Sequence, residues 1–203
     1  MGRPLEAGER RGWELLAARP RNEVAAAALV ALDPAASSFT IRSFGMDVVL
    51  SLRDRTIDGC TAESRSLVAR LGDLYRLSLL WYLATAKDIP CTGRMVKLQD
   101  LPGGDIFARG SHVMPLDEIA SRYGSSREAF LERGSALGGT AVQIADAGLL
   151  LHPLPRAPVT LCLWLADDEF PARADLFLDS TCSLQAPTDV LWSVALLTVQ
   201  VML

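Results

Sequence analysis

The stretch VTLCLWLADDEFPARADLFLD, residues 159–179, decides the fold. Both of its ends are runs of apolar residues, and its middle holds the densest group of carboxylates in the chain, Asp167-Asp168-Glu169. Short apolar runs bounded by turn residues are typical of buried strands. The stretch therefore predicts a buried strand, an acidic turn and a second buried strand.

The patterns on either side of this stretch predict four regions in one domain of residues 1–203. These are N-terminal helices at 1–35, a hairpin at 36–60, a helical part at 61–138, and strands with a terminal helix at 139–203. Alternation of apolar residues around Gly45 indicates the hairpin, and the Ala-rich segment 21–32 predicts a helix. Pro153, Pro155 and Pro158 favour strand ends at edges or turns. This order predicts an α+β fold, a single compact domain with a mostly antiparallel sheet flanked by helices.

Composition and charge exclude several classes of protein. Half of the residues are hydrophobic and 22% are charged, which is typical of a compact globular protein. The net charge of −4 gives no general attraction to nucleic acid, so no nucleic-acid partner is expected. The most apolar segment, residues 190–203, is shorter than the roughly 20 residues that span a bilayer, so no membrane association is expected.

The cysteines indicate a reducing compartment. Cysteines 60, 91, 162 and 182 stand singly, without CxxC spacing, and the N-terminus lacks the apolar core of a signal peptide. Free thiols are therefore expected rather than disulfides, and the predicted location is the cytoplasm. Cys91 follows Pro90 in a loop and is expected to be the most exposed cysteine, whereas Cys162 is expected in the core.

The acidic turn is the leading candidate for chemistry. Three consecutive carboxylates repel one another, so their arrangement suggests a cation, a basic partner or simple exposure to solvent. The metal hypothesis assigns Asp167, Asp168 and Glu169 as ligands, although their spacing does not match an EF-hand loop. All three interpretations stay open at this point.

Other motifs carry less information. His112 and His152 are 40 residues apart and neither belongs to a metal-binding signature. Gly103-Gly104 lacks the surroundings of a nucleotide-binding loop, so nucleotide binding is not indicated. An enzymatic alternative is a divalent-cation-assisted hydrolase or transferase that uses the acidic turn, with one of the two histidines as acid–base group.

Several segments together resemble a family of uncharacterised prokaryotic proteins, which is described as a domain of unknown function and is common in anaerobes. The residues that carry the resemblance are Tyr82-Leu83, Leu101 to Gly104, Leu154 to Arg156 with Pro158, Trp164, Asp168 to Ala172, and Phe177 with Asp179. The resemblance implies a link to anaerobic redox or corrinoid-dependent one-carbon proteins. Some members carry cysteine-rich iron–sulfur modules, and this chain has none. The resemblance supplies no activity.

These observations predict a non-catalytic accessory module that binds a ligand, a cofactor or a protein partner. The predicted site has Trp164 as a flat apolar wall, with Asp168, Glu169 and Arg156 as orienting polar groups and His112 as a further member. The sequence does not identify the cofactor; a tetrapyrrole-type molecule is one candidate. Partners are expected to be a small molecule or a protein, and the apolar C-terminal helix suggests a homo-oligomer. Whether the protein is an enzyme is left open.

Overall fold

A computed structural model of the chain describes residues 4–104 and 114–203. Its helices are α1 (Pro4–Ala17), α2 (Arg21–Ala28), α3 (Ala62–Thr85), α4 (Leu116–Tyr123), α5 (Arg127–Ala136) and α6 (Thr188–Met202). Its strands are β1 (Ala31–Asp33), β2 (Ser38–Ser43), β3 (Met46–Ser51), β4 (Thr56–Gly59), β5 (Met95–Val96), β6 (Thr140–Val142), β7 (Ala147–Leu154), β8 (Ala157–Trp164) and β9 (Arg173–Asp179). Every strand pair in these residues is antiparallel. The predicted α+β class is confirmed.

The first sheet is a four-stranded meander in the order β1-β2-β3-β4. The predicted hairpin is confirmed as β2 and β3, and it turns at Phe44-Gly45, where φ is 47° and 72°. Two consecutive residues at positive φ match the right-handed twist of the flanking strands. The hairpin buries Phe39, Ile41 and Leu50 completely.

Two parts of the N-terminal prediction are wrong. The helix predicted over 21–32 ends at Ala28, and residues 31–33 form β1, which pairs with β2. The region 36–60, predicted as one hairpin, contains a third strand, because residues 56–59 form β4 against β3. In both places tertiary pairing with the central hairpin overrides the local helix or turn signal.

The second sheet has five strands in the order β5-β9-β8-β7-β6. Residues 159–179 form most of its β8–β9 hairpin, in which Val159 pairs with Leu178 and Trp164 with Arg173. Pro153 and Pro158 lie within interior strands rather than at edges, and the register of β7 on β8 shifts between Leu151 and Leu154. Proline has no backbone N–H to donate to a neighbouring strand, and the shift in register accommodates this missing donor.

The two sheets meet where the β2–β3 turn contacts β7. Phe44 N donates to His152 O at 2.9 Å, and Ser43 Oγ donates to Pro153 O at 2.6 Å. Tyr75 of α3 donates its hydroxyl to Ser43 Oγ at 2.7 Å, within the same buried contact. These hydrogen bonds connect the first sheet, the longest helix and the second sheet.

The apolar helix α6 packs inside the chain itself. Ten of its residues are buried, and it contacts α3, β7 and β8. Its apolar character therefore does not require an oligomer, and the homo-oligomer stays a prediction. None of the helices in residues 4–104 and 114–203 has the length and apolar character that a bilayer-spanning helix requires.

Candidate functional site

The acidic turn between β8 and β9 is an exposed loop organised by one of its own carboxylates. Asp167 Oδ1 accepts from Glu169 N at 2.8 Å and from Phe170 N at 2.7 Å, and Asp167 N donates to Phe170 O at 3.0 Å. The amides of Phe170 and Glu169 hold the pKa of Asp167 below its ordinary value. Asp168 and Glu169 are exposed beside it. The turn therefore needs no cation to balance Asp167.

The metal hypothesis gains no support from the side chains around this turn. Within the described ranges, no group of three or more His, Cys, Asp or Glu side chains is arranged to hold a metal ion. The metal site at Asp167, Asp168 and Glu169 stays a prediction. His112 lies outside the described residues, so its place in the predicted site is not described.

Trp164 ends β8, and its ring is covered by a neighbouring cation. The Arg173 guanidinium lies 3.8 Å from the centroid of the Trp164 ring, across the register pair that joins β8 and β9. A guanidinium at this distance is attracted to the ring face. The ring is therefore a partly buried wall that Arg173 covers, next to the exposed acidic turn.

Arg156 lies far from Trp164 and is built into the fold. Arg156 immediately precedes β8, and Trp164 is the last residue of that strand. At about 3.3 Å per residue, Arg156 and Trp164 therefore lie about 26 Å apart. The Arg156 guanidinium is buried, and it donates to Ala27 O at 2.7 Å, to Ala26 O at 3.4 Å and to Asp88. The structure thus separates two residues that the sequence placed in one site, and Arg156 caps the C-terminus of α2.

A groove of about 580 Å³ lies at the Arg156 end of the five-stranded sheet. Its floor contains Leu150, His152, Pro158 and Thr160, which alternate along β7 and β8 with residues of the core. The loop that contains Cys91 and the segment after β6 form its sides. The groove-lining residues are Leu29, Pro90, Cys91, Gly93, Met95, Val142, Gln143, Ile144, Leu150, His152, Pro155, Arg156, Pro158, Thr160 and Asp179.

Asp179 fixes the Cys91 loop against the sheet. Its carboxylate accepts from Gly93 N at 2.7 Å, from Thr92 N at 3.3 Å, and from the backbone and hydroxyl of Thr181 at 2.9 and 2.7 Å. Burial alone would raise the pKa of Asp179, but these hydrogen bonds outweigh burial and hold it below its ordinary value. Asp179 is therefore an ionised structural group, and its oxygens are already occupied.

Cys91 and His152 are the two groove residues that carry a thiol or an imidazole. Cys91 is exposed, and its thiol donates weakly to Arg156 O at 3.5 Å. Burial and then the charge of Asp179 raise the pKa of Cys91, so the thiol is protonated near neutral pH. Burial lowers the pKa of the half-buried His152, so its ring is neutral near pH 7. The groove thus presents a neutral imidazole and a neutral thiol among mostly apolar side chains.

Cys91 and His152 are 61 residues apart in the sequence, and only the fold brings them to one groove. Cys91 was expected to be the most exposed cysteine, and it is exposed together with Cys60, while Cys162 is buried as predicted. All four cysteines are free thiols, as predicted. No local sequence signal marks the groove, because the Cys91 loop is held against the sheet by the distant carboxylate of Asp179.

A family model described as a domain of unknown function, DUF3786, matches residues 21–201. The match covers most of the chain, so the protein belongs to this family, and the resemblance predicted from the sequence is confirmed at this level. No curated protein and no solved structure matches the chain. The groove lies within the matched residues, whereas α1 precedes them.

Proposed function

We propose that this member of the DUF3786 family is a non-catalytic binding module whose groove takes a flat, largely apolar cofactor of the tetrapyrrole type. The observation that carries the proposal is a half-buried imidazole, His152, in the floor of an apolar groove of about 580 Å³. Small-molecule sites are mostly apolar clefts of about 300–1,000 Å³ with a few polar groups. The proposed setting is anaerobic redox or one-carbon metabolism in the cytoplasm, and the four free thiols suit such a reducing compartment.

His152 is suited to ligate the metal of such a cofactor. Its lowered pKa keeps a lone pair on the ring near pH 7, which a metal ligand requires. In the described part of the chain, no side-chain hydrogen bond occupies this ring. An imidazole is a common axial ligand of tetrapyrrole-bound iron, and an apolar surround strengthens such a contact.

The state of Cys91 favours binding over nucleophilic catalysis. A thiol enzyme needs a thiolate, and such thiolates are found where positive charge lowers the cysteine pKa. Here burial and Asp179 act in the opposite direction. We therefore assign Cys91 to the groove wall, where a protonated thiol behaves as a small apolar group.

The experiment is a titration of protein purified without oxygen with two probes, iron(III) protoporphyrin and metal-free protoporphyrin. Saturable binding of both is expected, and the iron probe alone should show a shifted absorption band on ligation. His152→Ala should remove the band shift but retain binding of the metal-free probe, because only the ligating group is lost. The band shift should also be lost in acid, at a pH below the ordinary pKa of histidine, because burial lowers the pKa of His152 and protonation removes the lone pair that ligates the metal.

A matched pair of rim variants tests whether the probes occupy this groove. Met95, on the rim, and Leu184, outside it, expose 43% and 42% of their surface. Met95→Glu should weaken binding of both probes by about tenfold, which corresponds to about 1.4 kcal/mol of lost apolar contact, whereas Leu184→Glu should not. Equal effects of the two variants, or no saturable binding by the wild type, would rule out the proposal.

A second candidate function is docking of a basic protein partner on the acidic turn. Phe170 at the tip of this turn is 66% exposed and stands beside Asp168 and Glu169. An exposed aromatic next to carboxylates is a suitable anchor for a cationic surface. Trp164 and Arg173 would flank such a partner.

One nuclear magnetic resonance experiment separates this partner from the metal alternative. Octalysine and Mn²⁺ are added separately to ¹⁵N-labelled protein, and the amide signals of residues 166–172 are followed. A docking surface predicts shifts with octalysine that disappear in the Asp168→Asn/Glu169→Gln double variant. A metal site predicts selective broadening by Mn²⁺ that the same variant abolishes. Absence of both responses removes both alternatives.

A second cavity is a weaker candidate. It has a volume of about 490 Å³ and lies between α1, β4 and α3. Three of its charged side chains already interact within the chain: Arg76 pairs with Asp73 at 3.2 Å, and Glu9 accepts from Trp13 Nε1 at 3.2 Å. One of its walls, α1, also precedes the family-matched residues. A function shared by the family therefore fits the groove better.

A further inference from the structure

A leucine occupies a backbone position that favours glycine. Leu29 follows α2 with φ 53° and ψ 50°, in the left-handed region. Val30 N donates to Ala25 O at 3.0 Å and Leu29 N to Ala26 O at 3.4 Å, which together form a Schellman motif. The left-handed residue of this motif is usually glycine, because a Cβ is disfavoured there.

The side chain of Leu29 gains nothing from the core of the protein. It is 57% exposed, and it lines the groove rim together with Met95, which is also exposed. Leucine is therefore unfavourable here both for the backbone and for contact with solvent. Glycine would remove both costs while keeping the helix end.

Comparison with the other left-handed positions shows that Leu29 is unusual. In the described part of the chain, the other non-glycine residues at positive φ are Ser37, Phe44, Arg55 and Ala145. Phe44 is fully buried, so core packing accounts for it. The remaining three are polar or small. Leu29 is the one residue of this set that is large, apolar and exposed.

We propose that Leu29 is a specificity-determining contact of the groove, held in a disfavoured conformation so that its side chain covers an apolar edge of the bound ligand. This inference rests on the proposed binding function and deepens it, because it assigns an uncharged, hydrocarbon edge of the ligand to the rim at the end of α2. Strained residues that persist at a ligand site are commonly part of the binding device. The charged edge of a tetrapyrrole-type ligand would then face away from this rim.

The experiment compares Leu29→Gly with Arg55→Gly in the full chain. Arg55 has the same φ of 53°, is exposed, and lies outside the groove. Relief of the left-handed conformation should raise the thermal midpoint of both variants by a few degrees, about 2–4 °C. Only Leu29→Gly should weaken binding of metal-free protoporphyrin, by about tenfold, and Leu29→Met should restore affinity to within about twofold of wild type.

Two outcomes would contradict the role of Leu29 without contradicting the proposed function. In the first, Leu29→Gly binds the probe as the wild type does while Met95→Glu does not. In the second, Leu29→Gly lowers the thermal midpoint, which would show that Leu29 is retained for packing. If the wild type shows no saturable binding of the probe, both the inference and the proposed function fall.

Discussion

The buried guanidinium of Arg156 should contribute more to stability than any exposed charge in the chain. It donates to Ala27 O at 2.7 Å and to Ala26 O at 3.4 Å, where α2 ends, and it pairs with Asp88. Only 6% of Arg156 is exposed, whereas 74% of the Asp88 side chain is. The perturbation is Arg156→Met, which removes the charge and the donors but keeps most of the stem.

The magnitude follows from these three contacts. A net contribution of about 1.5–3 kcal/mol is typical of a hydrogen bond to a charged group, and the 2.7 Å bond should reach that range. The 3.4 Å contact is weaker, and the ion pair with an exposed carboxylate is worth less than about 1 kcal/mol. Arg156→Met should therefore cost about 3–4 kcal/mol, and Asp88→Asn less than about 1 kcal/mol. Since a domain has about 5–15 kcal/mol of stability, the arginine variant should still fold.

Urea unfolding followed by circular dichroism measures both values, with Arg173→Met as a matched control. Arg173 is an exposed arginine stacked on Trp164, and its loss should cost less than about 1 kcal/mol. The reasoning is refuted if Arg156→Met costs no more than Arg173→Met, or if Asp88→Asn costs as much as Arg156→Met.

Three further predictions concern the backbone, the thiols and acid. Gly138→Ala should cost about 2 kcal/mol or more in thermal unfolding, because the added Cβ would lie 2.6 Å from Gly45 Cα. Gly93 has a similar positive φ but no atom within 4 Å of an added Cβ, so Gly93→Ala should cost about 1 kcal/mol. Ellman's reagent should modify two of the four thiols in the native protein, faster as pH rises, and all four in guanidinium. The two reactive thiols are Cys60 and Cys91. Asp179→Asn should cost about 2 kcal/mol above pH 5. The cost should shrink as pH falls below the ordinary value of 3.8 and through the lower folded-state pKa, because protonation then removes the same stabilising charge from the wild type.

Local sequence signals were sufficient for the elements that local contacts specify. Alternating apolar residues with Gly45 between them produced the central hairpin, since the turn needs a residue that tolerates positive φ. The apolar runs of residues 159–179 produced β8 and β9 for the same kind of reason. In both cases the two strands are neighbours in sequence, so their pairing closes only a short loop.

Elements that depend on distant partners were not predictable in this way. The segment 56–59 has turn-like sequence, and it becomes β4 only because β3 offers an edge to pair with. The helix predicted to continue through Leu32 ends before Leu29, whose backbone is in the left-handed conformation. Leucine is a good helix former and that conformation is unfavourable for it, so a leucine does not mark a helix end. The pairing of β5 with β9 joins residues more than 80 positions apart, and periodicity contains no information on such an order.

The same limit explains why the sequence predicts a site at the acidic turn and not at the groove. Adjacent carboxylates are visible in a sequence, but at residues 167–169 they lie in solvent, where one of them merely closes the turn. The carboxylate of Asp179 is a single residue at a strand end, yet it gathers amides from a loop 86 residues away and so fixes the wall that contains Cys91. A charge that is buried and fully hydrogen-bonded positions its surroundings, whereas exposed charges that repel one another do not. The groove is therefore the better candidate for function, because the fold holds the wall that contains Cys91 in place.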